Sequence, residues 1–398
     1  MLAGRLLMNR FLFVVPPLQG HTNPTVSVGV ELAERGHAVA WAGEPSVVRP
    51  LLPEGAAFFP CPERLPESME DALRHRAAGL RGAAALKFLW EDALLPLALA
   101  MEAPLDAAID AFAPDVLVVD QQAVGGAAVA RRRGIPWVTS ATTSAEFARP
   151  FEAVPKVGEW VASELVDVQL RLGVPEELAR QGDLRLSDQL VLAFTSEALV
   201  GDVRAFGDHV AFVGPSTHAR TETAAFPFEW LDPHRRHVLV SLGTVNQSVG
   251  ERFYKAAVEA VDGLDLQAVV VAPPELLGAV PDNVHVQAFV PQLALLSRMD
   301  AVVGHGGHNT TCEALAAGLP LVLAPIRDDQ PIVAQQVVEA GAGLRVKFGR
   351  VRAEGLREAL LTVLDDPTYR AAAQRIAASF AAAGGPARAA DLLEALAP

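Results

Sequence analysis

Gly304-His305-Gly306-Gly307, followed by Asn309, Thr310 and Glu313, is the part of this chain best suited by residue type to hold a charged ligand. Glycines let the backbone turn sharply and approach a ligand closely. A helix opening directly after such a turn presents free N–H groups and the positive end of its dipole, and both favour an anion such as phosphate. Asn309 and Thr310 can add side-chain donors. Glu313 falls four residues after Asn309, on the same helical face, where a carboxylate can accept from paired ribose hydroxyls. Asp329-Gln330 then follows the strand-like run LPLVLAP. In that order the residues describe a pocket for a phosphorylated sugar. A glycine cluster alone is more often the start of an ordinary capped core helix, with the acid on a solvated face; here the flanking motifs reverse that balance.

The elements that must position these residues alternate between strand and helix. FLFVV (11–15) is a short continuous apolar run, as expected of a parallel strand buried on both faces. A turn with Gly20 and Pro24 follows, then a helical segment over 25–36, and HAVAWAG (37–43) reads as a second strand. Residues 68–112 are Ala- and Leu-rich and helical, DVLVVD (115–120) is a strand, 125–134 a helix closed by Gly134, and 135–140 a strand again. Further strands read over 190–196 and 209–215. HVLVSLGT (237–244) opens a second such series, with strands over 266–273, 283–289, 300–307 and 319–325. The fold class is therefore α/β, with doubly wound parallel sheets. The domains run from 1–214, through a linker at 215–236, to 237–380, and a last helix at 381–398 packs back toward the first domain. Two such halves imply a cleft, with ligands at the carboxyl ends of the strands.

Bulk properties exclude several function classes. A chain of 398 residues exceeds one ordinary core. The formal net charge of −14 argues against a nucleic-acid backbone or an anionic membrane surface as partner. No apolar run approaches the roughly 20 residues that span a bilayer. The opening MLAGRLLMNR is too short in apolar residues for a signal peptide, and Met8 is an alternative start. Two cysteines, Cys61 and Cys312, suit a reducing cytosol. The expectation is a cytoplasmic protein without stable membrane insertion, monomeric or homodimeric. No Asp-x-Asp pair and no His/Cys cluster occurs, so neither a metal nor any other cofactor is expected.

Phe289-Val290-Pro291-Gln292, His305 through Thr310, Glu313-Ala314-Leu315, Pro325 and Asp329-Gln330 stand in one order along the second half. Gly20-His21-Thr22-Asn23-Pro24 follows the first strand, and Ser241-Leu242-Gly243-Thr244 follows the first strand of the second half. This set resembles the signature of the UDP-glycosyltransferase superfamily, and its bacterial macrolide and natural-product branch in particular, from about residue 10 to the last helix. The resemblance implies the GT-B fold, two Rossmann-like domains facing each other across a cleft. It implies an inverting transfer of a sugar from a nucleoside-diphosphate sugar, UDP- or dTDP-linked, to a hydrophobic small molecule. It carries His21 over as the base and Asp120 as its orienting acid, an assignment that agrees with general physics: a carboxylate on one ring nitrogen fixes the tautomer and leaves the other nitrogen as base. Phe289 would stack on the nucleobase and Val290 read its edge. Gln292 and Glu313 would hold the ribose. Thr244, His305, Gly306, Gly307, Asn309 and Thr310 would hold the phosphates, and Asp329 with Gln330 the sugar.

The sequence departs from the family pattern at His308, where plant relatives carry Trp, and at Val333-Ala334, where relatives usually carry Asn-Ala. The acceptor is the least legible ligand. Loops near 60–95 and 140–170 carry Phe88, Trp90, Phe147, Phe151 and Trp160, which would suit an apolar polyketide, macrolide or polyphenol, although residue by residue a place in the core is slightly favoured. Two other functions share the fold: a nucleotide-sugar 2-epimerase, against which the GHTNP and VPQ motifs speak, and a non-catalytic sugar-nucleotide-binding partner, which would be marked by loss of His21 and Asp120.

Overall fold

The apolar runs become strands buried on both faces. The structure, a computed structural model, describes residues 8–65, 80, 82–217, 224–243 and 250–397. The first sheet contains β1 Arg10–Val14, β2 Ala38–Gly43, β3 Ala57–Pro60, β4 Val116–Asp120, β5 Trp137–Ala141, β6 Val191–Ala193 and β7 Val210–Phe212, in the order β3-β2-β1-β4-β5-β6-β7. The second contains β8 Arg236–Ser241, β9 Leu266–Val271, β10 Val284–Gln287, β11 Ala301–Gly304, β12 Leu321–Leu323 and β13 Gly343–Arg345, in the order β10-β9-β8-β11-β12-β13. Neighbouring strands run parallel in both sheets. These are the two Rossmann-like domains of the GT-B fold. The chain reverses its direction of winding between β1 and β4 in one sheet and between β8 and β11 in the other. Ligands of open α/β sheets bind outside the strand ends at such points.

Side-chain alternation on β1 builds two cores. Phe11 and Phe13 face Val28, Leu32 and Trp41, while Leu12 and Val14 face Leu97, Met101 and Leu105. The last helix, Gly385–Leu396, lays Ala389, Ala390 and Leu393 onto the Phe11 and Phe13 side. Arg35 of the first helix bonds Asp391 and Glu394 of that last helix, but such partly exposed pairs add little to the apolar attachment. No helix among the described residues is long and apolar enough to cross a membrane.

Three differences from the sequence reading have physical causes. The first helix starts at Gln19, well before residue 25, so His21 lies in its first turn and Pro24 inside it. Proline normally ends or kinks a helix because it lacks an N–H; here the carbonyl that it leaves free, Gly20 C=O, receives Asn309 from the other domain. The strands β3 and β13 are absent from the reading because they are edge strands of four and three residues, only partly buried, without a continuous apolar run. The helical stretch placed at 68–112 is helical over the described part, Ala83–Phe88, Leu89–Leu94 and Leu95–Phe112; residues 66–79 and 81 lie outside the described residues.

Candidate active site

The glycine-rich turn lies at the second sheet's point of reversal. β11 ends at Gly304, and the helix His308–Ala316 begins with Gly307 as its cap. The first bond within this helix runs from Thr311 N–H to Gly307 C=O at 3.0 Å. The N–H groups of His308, Asn309 and Thr310 therefore head the helix outside its ladder. His305 fills space that two glycines leave: a Cβ on Gly307 would come 2.4 Å from His305 Nε2, and one on Gly243 would come 2.8 Å from its Cε1. Gly243 and Gly306 also hold φ of +69° and +85°, where glycine has no steric penalty. Burial pushes the His305 pKa down to about 4, against the opposing pull of Asp329 and the Ser241 backbone. The ring is neutral at pH 7, and its buried Nδ1 has no partner among the described residues.

The residues assigned to the nucleoside stand close by. Gln292 Nε2 donates to Glu313 Oε2 at 2.5 Å. Phe289, just past β10, is 62% exposed, as an open stacking platform would be, and Val290 beside it is half-buried. Asp329 Oδ2 accepts the Thr143 hydroxyl at 2.6 Å. The side-chain oxygen of Gln330 accepts from the backbone N–H groups of Ile326 and Arg327, so it orders the turn that carries Asp329. Thr244 lies outside the described residues. His308 is buried and packs, with Nε2 3.3 Å from Phe194 C=O and Cys312 Sγ 3.5 Å away.

The other half of the site lies at the first sheet's reversal. His21 follows β1, and Asp120 ends the adjacent strand β4. His21 Nδ1 is 3.0 Å from both carboxylate oxygens of Asp120. Gln122 N–H donates to Asp120 Oδ1 at 2.8 Å, and Thr142 Oγ1 donates to Oδ2 at 2.7 Å. Burial, the largest single effect, lowers the His21 pKa; the charge and hydrogen bond of Asp120, with the charge of Asp329, outweigh it and raise the pKa above 6.5. Asp120 on Nδ1 leaves Nε2 as the basic nitrogen.

Several contacts among the described residues join the two halves of the site across the cleft. Asn309 Nδ2 donates to Gly20 C=O at 2.6 Å, and Thr143 donates to Asp329. Ser144 Oγ donates to Gln336 Oε1 at 2.5 Å, and His308 meets Phe194 C=O. Two residues read from the sequence as donor contacts, Asn309 and Asp329, thus also touch the first domain, and the loop after β5 is the part of that domain which Asp329 and Gln336 meet. Thr142 and Thr143 had no place in the sequence reading. The signal for them was the hydroxyl-rich TSATTS run (139–144), which ends one strand and continues past it.

The aromatic residues expected around the acceptor are mainly packed in the first domain. Trp90 is buried in its main core, and Phe151 and Trp160 are partly buried against that core. Phe147 packs on Phe206 and Phe212, and Phe88 is buried. A concavity of about 850 Å³ lies elsewhere, among Glu259, Arg357 and Asp365 on outer helices of the second domain, and holds none of the expected residues; concavity alone does not locate the site. Among the described residues no three His, Cys, Asp or Glu side chains gather as a metal site.

Known proteins resemble the chain across its length. Residues 255–396 match the family described as Erythromycin biosynthesis protein CIII-like, C-terminal domain. The chain is 32% identical to 4'-demethylrebeccamycin synthase of Lentzea aerocolonigenes, over 97% of its own length and 99% of the other's. It is 30% identical to demethyllactenocin mycarosyltransferase of Streptomyces fradiae, over 99% of its own length and 87% of the other's. Among solved structures, the glycotransferase of kitacinnamycin matches with a TM-score of 0.77 at 28% identity, covering 98% of this chain and 100% of that one.

Proposed function

The chain belongs to the natural-product glycosyltransferases, and from that membership we propose that it moves a sugar, with inversion, from a nucleoside-diphosphate sugar to a hydroxyl of a hydrophobic acceptor such as a polyketide, macrolide or polyphenol. The observation that carries this reading is the pairing of His21 with Asp120 at one sheet reversal, next to the head of the His308–Ala316 helix at the other, with Asn309 touching Gly20 between them. Neutral His21 takes the acceptor hydroxyl's proton on Nε2. The oxygen attacks the anomeric carbon from the side opposite the nucleotide, the bond from that carbon to the diphosphate oxygen breaks, and the configuration inverts. Negative charge grows on the departing diphosphate, where helix N–H groups and the Asn309 and Thr310 side chains would meet it. Phe289, Val290, Gln292 and Glu313 would hold the nucleoside, and Asp329 the sugar. In this reading no metal takes part, because the protein's own donors meet that charge.

The test incubates the protein with UDP-glucose and dTDP-sugars, a panel of hydrophobic alcohols, and EDTA, and reads products by mass and anomeric configuration by NMR. The expected product is an inverted glycoside formed in EDTA, with His21→Ala slower by roughly 10²–10⁴-fold. Undiminished transfer by His21→Ala would overturn the base assignment, and a C2-epimerised donor without transfer would overturn the reaction.

A further inference from the structure

Thr142 follows β5, whose residue Ser140 pairs in register with Asp120, so it overhangs the end of the strand beside the carboxylate. Its hydroxyl is 2.7 Å from Asp120 Oδ2 and 2.7 Å from His21 Nδ1. Two other buried threonine hydroxyls of the first domain, those of Thr22 and Thr25, bond nearby backbone carbonyls, of Leu18 and Thr22. Thr142 instead gives its single hydrogen to a side chain that faces the base. Because Nδ1 faces a carboxylate, it carries the ring's hydrogen, and the Thr142 oxygen is then a second acceptor for it. The three side chains close a triangle with every hydrogen assigned. Nδ1 is equidistant from both oxygens of Asp120, so the carboxylate alone sets no preference between them, and the hydroxyl adds a third, shorter contact on one side.

We propose that Thr142 is a positioning residue for the base: its hydroxyl ties the His21 ring and the Asp120 carboxylate into one fixed assembly and so sets the direction in which Nε2 meets the acceptor hydroxyl. The proposal rests on the reading of His21 as base. The charged and titratable groups that face this ring are Asp120 from β4, Asp329 from the turn before the helix Gln330–Glu339, and His308 from the helix His308–Ala316. Valine matches threonine in shape and removes only the hydroxyl. It leaves the Asp120 charge less shared and the ring less held.

The test compares Thr142→Val and Thr142→Ser with the unaltered chain. Thr142→Val is expected to lower kcat roughly 10–100-fold, as a small misplacement of a reacting group does, with KM for donor and acceptor within about twofold. The acid limb of its pH–rate profile is expected to move to higher pH, and Thr142→Ser to recover most of both changes. A loss confined to donor KM would make Thr142 a substrate contact and overturn the proposal. Equal loss in the serine and valine variants would show that keeping the hydroxyl does not keep the function, and would overturn it too. A second measurement is independent of turnover: NMR titration of the His21 ring in the free protein, expected to change in pKa and Nδ1 environment in Thr142→Val. An unchanged titration would overturn positioning itself. Full activity in His21→Ala would instead remove the base assignment, a result that the ring titration does not depend on.

Discussion

A carboxylate beside a histidine has two separable effects, a geometric one and an electrical one, and Asp120→Asn separates them. The amide can still face His21 Nδ1, but it brings no charge, and its NH₂ group competes for the ring's orientation. Burial, the largest effect on His21, then acts with only Asp329 against it. With His21 as the proposed base, which works only when neutral, activity in the unaltered chain is expected to fall as pH drops through the raised pKa, above 6.5. In Asp120→Asn the ring's pKa falls, so the acid limb moves to lower pH while the plateau kcat drops by about 10²–10⁴-fold. A pH profile of kcat/KM checks both signs; an acid limb that stays in place would remove Asp120 from the assembly. The pairing of His21 with Asp120 was legible through the family resemblance, with support from their places after and at the end of apolar strands, since strand ends line clefts. Thr142 was not, since its meaning depends on a carboxylate 22 residues earlier being its neighbour across two strands, a relation that only the register of β4 and β5 creates.

At the scale of elements, the two glycine motifs form one device. Gly243 after β8 and Gly307 after β11 leave the slot that His305 fills. Gly307→Ala has an ordinary backbone, φ −62° and ψ 134°, so its cost is the collision alone, about 1–3 kcal/mol for an overpacked site. Gly243→Ala adds strain from φ +69°. Both substitutions are expected to lower the melting temperature and to weaken nucleoside-diphosphate binding several-fold by calorimetry, Gly243→Ala more. Gly20→Ala supplies the contrast, because its nearest neighbour would be Asn309 Nδ2 at 3.7 Å, and its fold should be unharmed. Acid stability follows from the same slot. The His305 pKa is depressed to about 4 in the folded chain, so its contribution is full above the unfolded value near 6.5 and is lost as pH falls toward 4. The sequence carried the glycines and the histidine as separate motifs 62 residues apart; their packing together follows from β8 and β11 being adjacent.

Across the whole molecule the two domains meet in part through residues that would serve the ligands, Asn309 and Asp329, and Pro24 is one reason why. A helical residue at position 24 would normally give its N–H to Gly20 C=O. Proline has none, and Asn309 Nδ2 takes that acceptor from across the cleft at 2.6 Å. The sequence showed Pro24 as a helix breaker because it could not show a partner domain supplying the missing donor. Pro24→Ala restores the internal bond and removes a residue unfavourable within helices, so the first domain should gain stability. The same change gives Gly20 C=O a competing donor and weakens its hold on Asn309, by about 1 kcal/mol if that bond is ordinary. Closure would then lean more on Thr143–Asp329 and Ser144–Gln336. Small-angle scattering should find Pro24→Ala and Asn309→Ala both more open on average, and Thr143→Val combined with either more open still. Melting temperature should separate the first two, rising or holding in Pro24→Ala and not rising in Asn309→Ala. A Pro24→Ala chain as closed as the unaltered one, beside an opened Asn309→Ala, would show that the Gly20 carbonyl serves both donors at once and that Pro24 has no part in closure.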